Sequence, residues 1–295
     1  MKCCLQRYVP LYLMNVIASL LHLLQCMEEN ATGHKILFLA FIASMTEGPT
    51  ARLKAMQIET KFKGKLLQNI FVRSKRLHVE ATLLIGKKLE KATSFGKNIL
   101  LYFNGYIIRI HLMMYGSIRF EKEYSKPFCQ VRLALFFPKD NLVIYNAPII
   151  EIDEAKRMEE WLYKNYGIDP LTNWDEKKII RLILNEKERK IGDLLLDQKI
   201  FNGIGNILRN EILFRAAVCP ERKVRELSME EIEKITEYTE FLCKEFLELK
   251  KKGKGIKRML LVYNKKFCPK CGAKLIFYKQ EPNKRKTFYC PICQR

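Results

Sequence analysis

Cys268-Pro-Lys-Cys271 and Cys290-Pro-Ile-Cys293 place four cysteines in the last 28 residues, with eighteen residues between the pairs. Two such knuckles at this separation supply four thiolates to one tetrahedral Zn²⁺. The stretch between them, Lys274 to Tyr289, is expected to form a β-hairpin, and it carries Lys279, Lys284, Arg285 and Lys286. One structural zinc ion is expected, and no catalytic metal. A zinc-pinned basic hairpin points to nucleic acid.

The whole chain supports that direction. Its 295 residues hold 53 Lys and Arg against 32 Asp and Glu, a net charge of +21. Such an excess implies a polyanionic partner: DNA, RNA or an anionic membrane surface. With 48% hydrophobic residues there is enough apolar material for two cored domains. The other cysteines, Cys3, Cys4, Cys26, Cys129, Cys219 and Cys243, follow no disulfide framework, which suits a reducing intracellular compartment. The first 44 residues differ from the rest, with a net charge of only +1 and apolar runs at Leu11–Cys26 and Ile36–Ala43. Both runs fall short of the roughly 20 residues of a spanning helix. Ala43-Ser44-Met45 makes a poor secretory cleavage site. Residues 1–45 are therefore expected to be an extension outside the working protein, with Met45 as its start.

Apolar spacing at Leu53, Met56, Ile58 and Phe62 suits one helix over Thr50–Lys63. Short, often alternating segments follow, with strands expected at Asn98–Tyr102, Tyr106–Met113 and Gln130–Phe137 and a turn at Asn104-Gly105. This is a β-sandwich or barrel signature. Glu151–Tyr166 is expected to be helical, and Gly167-Ile-Asp-Pro170 breaks the chain. Glu176–Lys252 is expected to be helical throughout, interrupted at Asn202-Gly-Ile-Gly-Asn206. The expected fold class is α+β multidomain. A β-sandwich domain flanked by helices spans 46–166, a linker 167–175, a helical DNA-binding domain 176–262, and a zinc finger 263–295. The Lys-rich run Lys250–Lys257 is either a solvated loop or a phosphate contact.

Gly203-Ile-Gly205-Asn206 between two helices can turn tightly and present backbone N–H groups at a helix N-terminus, a geometry that binds phosphate, with Asn206 as an added donor. The surrounding segment, Leu194 to Phe214, closely resembles the helix–two-turn–helix of the formamidopyrimidine-DNA glycosylase / endonuclease VIII family. Met45-Thr46-Glu47-Gly48-Pro49 resembles that family's start, and Tyr145-Asn-Ala-Pro-Ile-Ile-Glu-Ile152 is nearest the endonuclease VIII branch. The resemblance runs from Thr46 to Arg295.

The resemblance implies a bifunctional DNA glycosylase/AP lyase of base excision repair. Removal of Met45 would expose the α-amine of Thr46 as nucleophile, Glu47 would shuttle protons, and Lys97, in Phe95-Gly96-Lys97, would reach the phosphate beside the lesion. Met113, Met114 and Tyr115 correspond to the loop that fills the hole left by an extruded base. Lys199, Asn206 and Arg285 correspond to phosphate binders. The amine choice has independent chemical support: with a pKa near 7.7–8.0, roughly a tenth or more of an α-amine is unprotonated at pH 7.

Two positions depart from the family pattern. Thr46 stands where Pro is usual, and its primary-amine imine can lose a proton and become a poorer electron sink, so a weaker strand-cleaving step is expected. Thr50 stands where the endonuclease VIII pattern has Glu. Ile149-Ile150-Glu151 replaces the Arg-Arg-Phe-Gly stretch of the formamidopyrimidine branch, and Lys251–Phe267 is too short for that branch's capping loop. Both favour oxidised pyrimidines over 8-oxoguanine. The expected partner is duplex DNA carrying oxidised bases or abasic sites, with no membrane, bound by a monomer in the cytoplasm, at the nucleoid in a prokaryote. Two rivals remain: a damaged-DNA or single-stranded-DNA binder without chemistry, and a membrane-associated inactive form that retains residues 1–44.

Overall fold

The computed structural model describes residues 46–282 and 284–295. The proposed start at Met45 and the apolar run Leu11–Cys26 lie outside the described residues. Among the described residues no helix is long and apolar enough to cross a membrane.

Helix α1 (Gly48–Phe62) begins with Pro49 in its first turn, where a missing N–H costs nothing. Its buried residues Ala51, Ala55, Ile58 and Phe62 recur at helical spacing and form one face. That face closes a core between two sheets. One sheet has four strands in the order β1 (Asn69–Val72), β7 (Val131–Phe136), β8 (Asn141–Tyr145), β6 (Ser117–Glu121). The other has five in the order β2 (Arg76–Leu77), β9 (Ile149–Glu154), β5 (Tyr106–His111), β4 (Asn98–Phe103), β3 (Lys91–Phe95). Only β2 and β9 pair in parallel; the other pairings in these sheets are antiparallel. Leu101, Phe103, Ile108, Ile110, Ile150 and Ile152 face Leu133, Leu135, Leu142 and Ile144 in one apolar cluster. Phe137 stacks on Phe62 at 4.6 Å between ring centroids. The expected sandwich is present.

The back of the five-stranded sheet is covered too. Helix α2 (Ala155–Asn165) lays Met158 and Leu162 on Phe95, Leu100 and Ile107. Strand β4 is thus buried on both faces, which explains its run Ile99-Leu100-Leu101 in place of alternation. The turn Asn104-Gly105 has positive φ at both residues, as a tight hairpin of the primed type requires.

The helix expected over 151–166 starts later, at Ala155. Residues 149–154 form β9, because Ile150 and Ile152 alternate into the sandwich core while Glu151 faces Arg109. The segment 176–252 is not helical throughout. It contains α3 (Glu176–Leu184), a single turn α4 (Ile191–Leu194), α5 (Asn206–Arg215) and α6 (Met229–Lys251), with irregular chain between them. Asp175 caps α3 by accepting from Lys178 N, and Ser228 with Glu231 forms a capping box on α6. Ile179, Ile183, Leu194, Phe201, Leu208, Ile212, Ile235, Leu242 and Phe246 build this second core. Strands β10 (Ile276–Gln280) and β11 (Arg285–Tyr289) form the terminal hairpin, packed on α5 through Phe214, Val262, Leu275 and Phe288.

Candidate active site and nucleic-acid interface

The two domains meet on three glycines. Gly48 N donates to Gly203 O at 2.8 Å. A Cβ on Gly203, whose φ is +98°, would sit 3.2 Å from the Gly96 Cα and 3.4 Å from the Gly48 Cα. Gly96 itself has φ +58°, and a Cβ there would lie 1.7 Å from Asn202 Oδ1. Gly96 N donates to Asp169 Oδ2 at 2.7 Å, so the interdomain segment clasps the β3–β4 turn directly. Gly96→Ala is expected to destabilise the protein by roughly 1–3 kcal/mol through strain and overpacking, measured as a lowered midpoint of thermal unfolding.

This junction delivers Glu47 to the N-terminus of α5. The carboxylate is fully buried, and its Oε1 accepts from Ile207 N at 3.0 Å. Gly205 has no side chain because a Cβ would meet Glu47 Oε2 at 2.4 Å. Burial pushes the Glu47 carboxyl above the ordinary carboxylate range, against the pull of the Lys97 charge and of the Ile207, Gly205 and Leu208 amides. Among these amides, Ile207 N–H is thus turned onto the protein's own carboxylate. The glycine turn is expected to offer such groups to a phosphate; here a side chain takes the anion position.

Lys97 lies in the β3–β4 turn, and its Nζ donates to Ile204 O at 2.7 Å. Burial pushes its ammonium below the usual lysine value; the charge of Glu47 opposes this and Arg285 reinforces it. Lys97, His111, Met113, Leu196, Gln198, Gly205, Asn206 and Arg285 line one recess of about 250 Å³. His111 Nδ1 accepts from Met113 N at 3.2 Å and holds the following loop. Burial, with Lys97 and Arg109 nearby, lowers the His111 pKa to about 4. His111 should therefore titrate near 4 rather than near 6.5 in a histidine NMR titration. Its unfolded form takes up a proton first, so this residue's contribution to stability is complete above about pH 6.5 and falls away as pH drops towards 4.

Met113, Met114 and Tyr115 project into solvent, with Tyr115 67% exposed. Three apolar side chains presented together on one loop are not core. Gly116 closes the loop because a Cβ would strike Leu112 O at 2.5 Å.

Asn206 lines the recess, but its Nδ2 is committed to Lys286 O at 2.9 Å. Lys199 is exposed on the approach to the glycine turn, and its own N–H donates to Asp197 Oδ1 at 2.9 Å. Arg285 reaches the recess from β11. Thr46 adjoins Glu47 at the junction and is partly exposed. Thr50 Oγ1 is buried without a hydrogen-bond partner in the first turn of α1, so no carboxylate substitute stands there.

Sequence reading missed the hub that aims the hairpin. Arg209 in α5 is 1% exposed; its guanidinium donates to Gln280 Oε1 at 2.7 Å and to Thr287 Oγ1. Asn210 Oδ1 accepts from Phe288 N at 2.7 Å. Glu211 accepts from the N–H groups of Leu261, Val262 and Tyr263 at 2.8–3.0 Å. The signal was available: Arg-Asn-Glu in the middle of an otherwise apolar helix must find buried partners.

The four thiols at the far end of the hairpin all lie within 4.8 Å of one another. Cys268 and Cys293 sulfurs are 3.8 Å apart, and those of Cys271 and Cys290 are 3.5 Å apart. A tetrahedron with metal–sulfur bonds of about 2.3 Å requires sulfur–sulfur edges of about 3.8 Å, so the donor set fits Zn²⁺.

A paired-sheet domain and a helical domain that assemble a buried carboxylate between them, beside a four-thiol hairpin, define a class of two-domain proteins built around a helix–two-turn–helix. The chain belongs to the formamidopyrimidine-DNA glycosylase / endonuclease VIII family. The formamidopyrimidine-DNA glycosylase N-terminal domain matches residues 45–148, and the H2TH domain of the same enzyme matches residues 166–261. The chain is 28% identical over 278 residues to formamidopyrimidine-DNA glycosylase of Bacillus cereus, covering 85% of this chain and 99% of that one. It is 25% identical over 225 residues to endonuclease 8-like 3 of Xenopus laevis, covering 74% of this chain and 36% of that longer protein. Its fold matches that of Lactococcus lactis formamidopyrimidine DNA glycosylase, solved non-covalently bound to DNA containing an abasic site. That match has a TM-score of 0.75 at 22% identity, over 84% of this chain and 99% of that one.

Proposed function

We propose that this protein is a bifunctional DNA glycosylase/AP lyase that removes oxidised bases, pyrimidines before purines, and nicks the strand. The observation that supports it most is one recess lined by Lys97, His111, Asn206 and Arg285, with Glu47, the neighbour of Thr46, buried at the α5 N-terminus against Gly205 and Ile207. The free Thr46 amine attacks C1′ of an extruded nucleotide. A new C–N bond forms as the glycosidic bond breaks, and the base leaves with a proton. Glu47 supplies a proton for opening the sugar ring, which its raised pKa permits, and the resulting Schiff base activates the C2′ proton. Loss of that proton breaks the C3′–O bond and releases the 3′ phosphate. Lys97 and Arg285 place positive charge where the flanking phosphates must sit. The Met113–Tyr115 loop fills the vacated stack. Zn²⁺ in the Cys268, Cys271, Cys290 and Cys293 set has a structural role. The protein acts as a monomer in the cytoplasm.

The test is borohydride trapping. Protein beginning at Thr46 is mixed with a duplex bearing an abasic site or an oxidised pyrimidine, and the adduct is mapped by mass spectrometry. An adduct on the Thr46 nitrogen is expected. Tight, salt-sensitive DNA binding without any adduct would reduce the protein to a damage binder. With the trapped species in hand, Met113, Met114 and Tyr115 all changed to Ala should slow excision from duplex by about tenfold or more. The same change should leave cleavage of a single-stranded abasic site nearly unchanged, because extrusion is then already complete.

A further inference from the structure

The zinc module carries a second groove, away from the recess. It has a volume of about 530 Å³ and is lined by Lys265, Lys266, Phe267, Lys274, Phe277 and Phe288 together with Asn264 and Leu275. Phe267 is 63% exposed and Phe277 54% exposed, unusual for rings in a protein whose other phenylalanines mostly fill cores. The Phe277 ring rests on Phe288 at 4.9 Å between centroids, and Phe288 rests on Tyr263 at 5.4 Å. The platform is thus held in place before any ligand arrives. Its rim is cationic: Lys265, Lys266 and Lys274 are exposed, and no acidic residue lines the groove.

Hairpin register extends the same surface. Phe277 pairs with Phe288, and two positions along the ladder Lys279 pairs with Lys286, both exposed. Side chains two apart share a face, so an aromatic pair and a lysine pair lie in line. Gln280, Thr287 and Arg285 belong to the opposite face, where Gln280 and Thr287 meet Arg209 and Arg285 reaches the recess. The hairpin therefore has one face for the recess and another that the chemistry does not use.

We propose that this second face binds single-stranded DNA by stacking unpaired bases on Phe267 and Phe277 while Lys265, Lys266, Lys274, Lys279 and Lys286 hold the backbone. Exposed rings reward only splayed bases, since a paired duplex presents phosphates and keeps its base faces stacked; rings interleaved with cations are the chemistry of a single-strand surface. The site goes beyond excision and does not depend on it.

The experiment measures binding of zinc-loaded protein to a fluorescent oligothymidylate of about 16 nucleotides. Phe267→Ala and Phe277→Ala together should weaken it by about thirtyfold or more, from about 1–3 kcal/mol of stacking for each of two bases. Affinity for a short, fully paired abasic duplex should not change. Phe277→Trp should retain oligothymidylate binding, and its fluorescence should be quenched on binding. Unchanged oligothymidylate affinity in the double variant would overturn the proposal. So would equal losses on both DNAs, or equal quenching of the Phe277→Trp fluorescence by oligothymidylate and by the paired duplex. The trapping experiment on Thr46 is a separate readout, so failure of either leaves the other standing.

Discussion

Glu47→Gln is expected to slow release of a damaged base by roughly 10²–10⁴-fold, the usual contribution of a positioned acid–base group. Glutamine keeps the shape and can still accept the Ile207 N–H, so the α5 N-terminus stays capped. What it loses is the exchangeable proton. Burial holds the Glu47 carboxyl above the ordinary carboxylate range, which keeps its acid form available at a pH where an exposed glutamate is ionised. Excision by the native protein should accordingly fall as pH rises through that elevated pKa, and the variant should lack this limb of the profile. Single-turnover excision across pH, with anisotropy measurement of DNA affinity alongside, separates the two effects. A variant that excises at the native rate would make Glu47 a helix cap and nothing more.

Stripping the metal, or changing Cys290 to Ser, should release the hairpin while leaving both large cores folded. A structural zinc site of four thiolates contributes on the order of 10–16 kcal/mol to the fold it closes. The apolar cluster under this hairpin is small, centred on Phe214, Val262, Leu275 and Phe288, and cannot replace that contribution. Loss of β10 and β11 would remove Arg285 from the recess and leave the buried Arg209 guanidinium without Gln280 and Thr287. An unpaired buried charge is costly, so the Arg209 side chain would turn towards water while Leu208 and Ile212 keep α5 in its core. Abasic-duplex affinity should drop at least about tenfold. Limited proteolysis should cut after Val262 and spare the sandwich. Retention of full affinity without metal would place the DNA grip elsewhere.

The parts of this fold that repeat a chemical pattern were legible in the sequence. The cysteine spacing foretold the four-thiol cluster, and Asn104-Gly105 foretold its hairpin. Glu151–Glu154 did not, because its charged residues suit a helix start until Ile150 and Ile152 are seen to alternate into a core supplied by distant strands. The 176–252 stretch misled for a related reason: apolar residues at Leu194, Phe201 and Ile204 serve a shared core from irregular chain, so hydrophobic spacing alone does not distinguish loop from helix there. At the site, Glu47 and Lys97 were visible as residues, but their partners were not. The Ile204 carbonyl and Ile207 amide that meet them are backbone groups more than a hundred positions away. Asp169 and Arg209 were hidden for the same reason, since a buried charge shows its purpose only once its partner is located.

Glu47 rides on the sandwich side of the junction, while the amide that holds it and the carbonyl that holds Lys97 ride on the helical side. Their altered acidities come from the dryness of a seam made by both halves. Were the halves parted, water would reach both groups and their acidities would return towards ordinary values. The altered acidity of Glu47 is in this way a joint property of the two halves. On the activity proposed above, this seam would make excision depend on the two halves staying together.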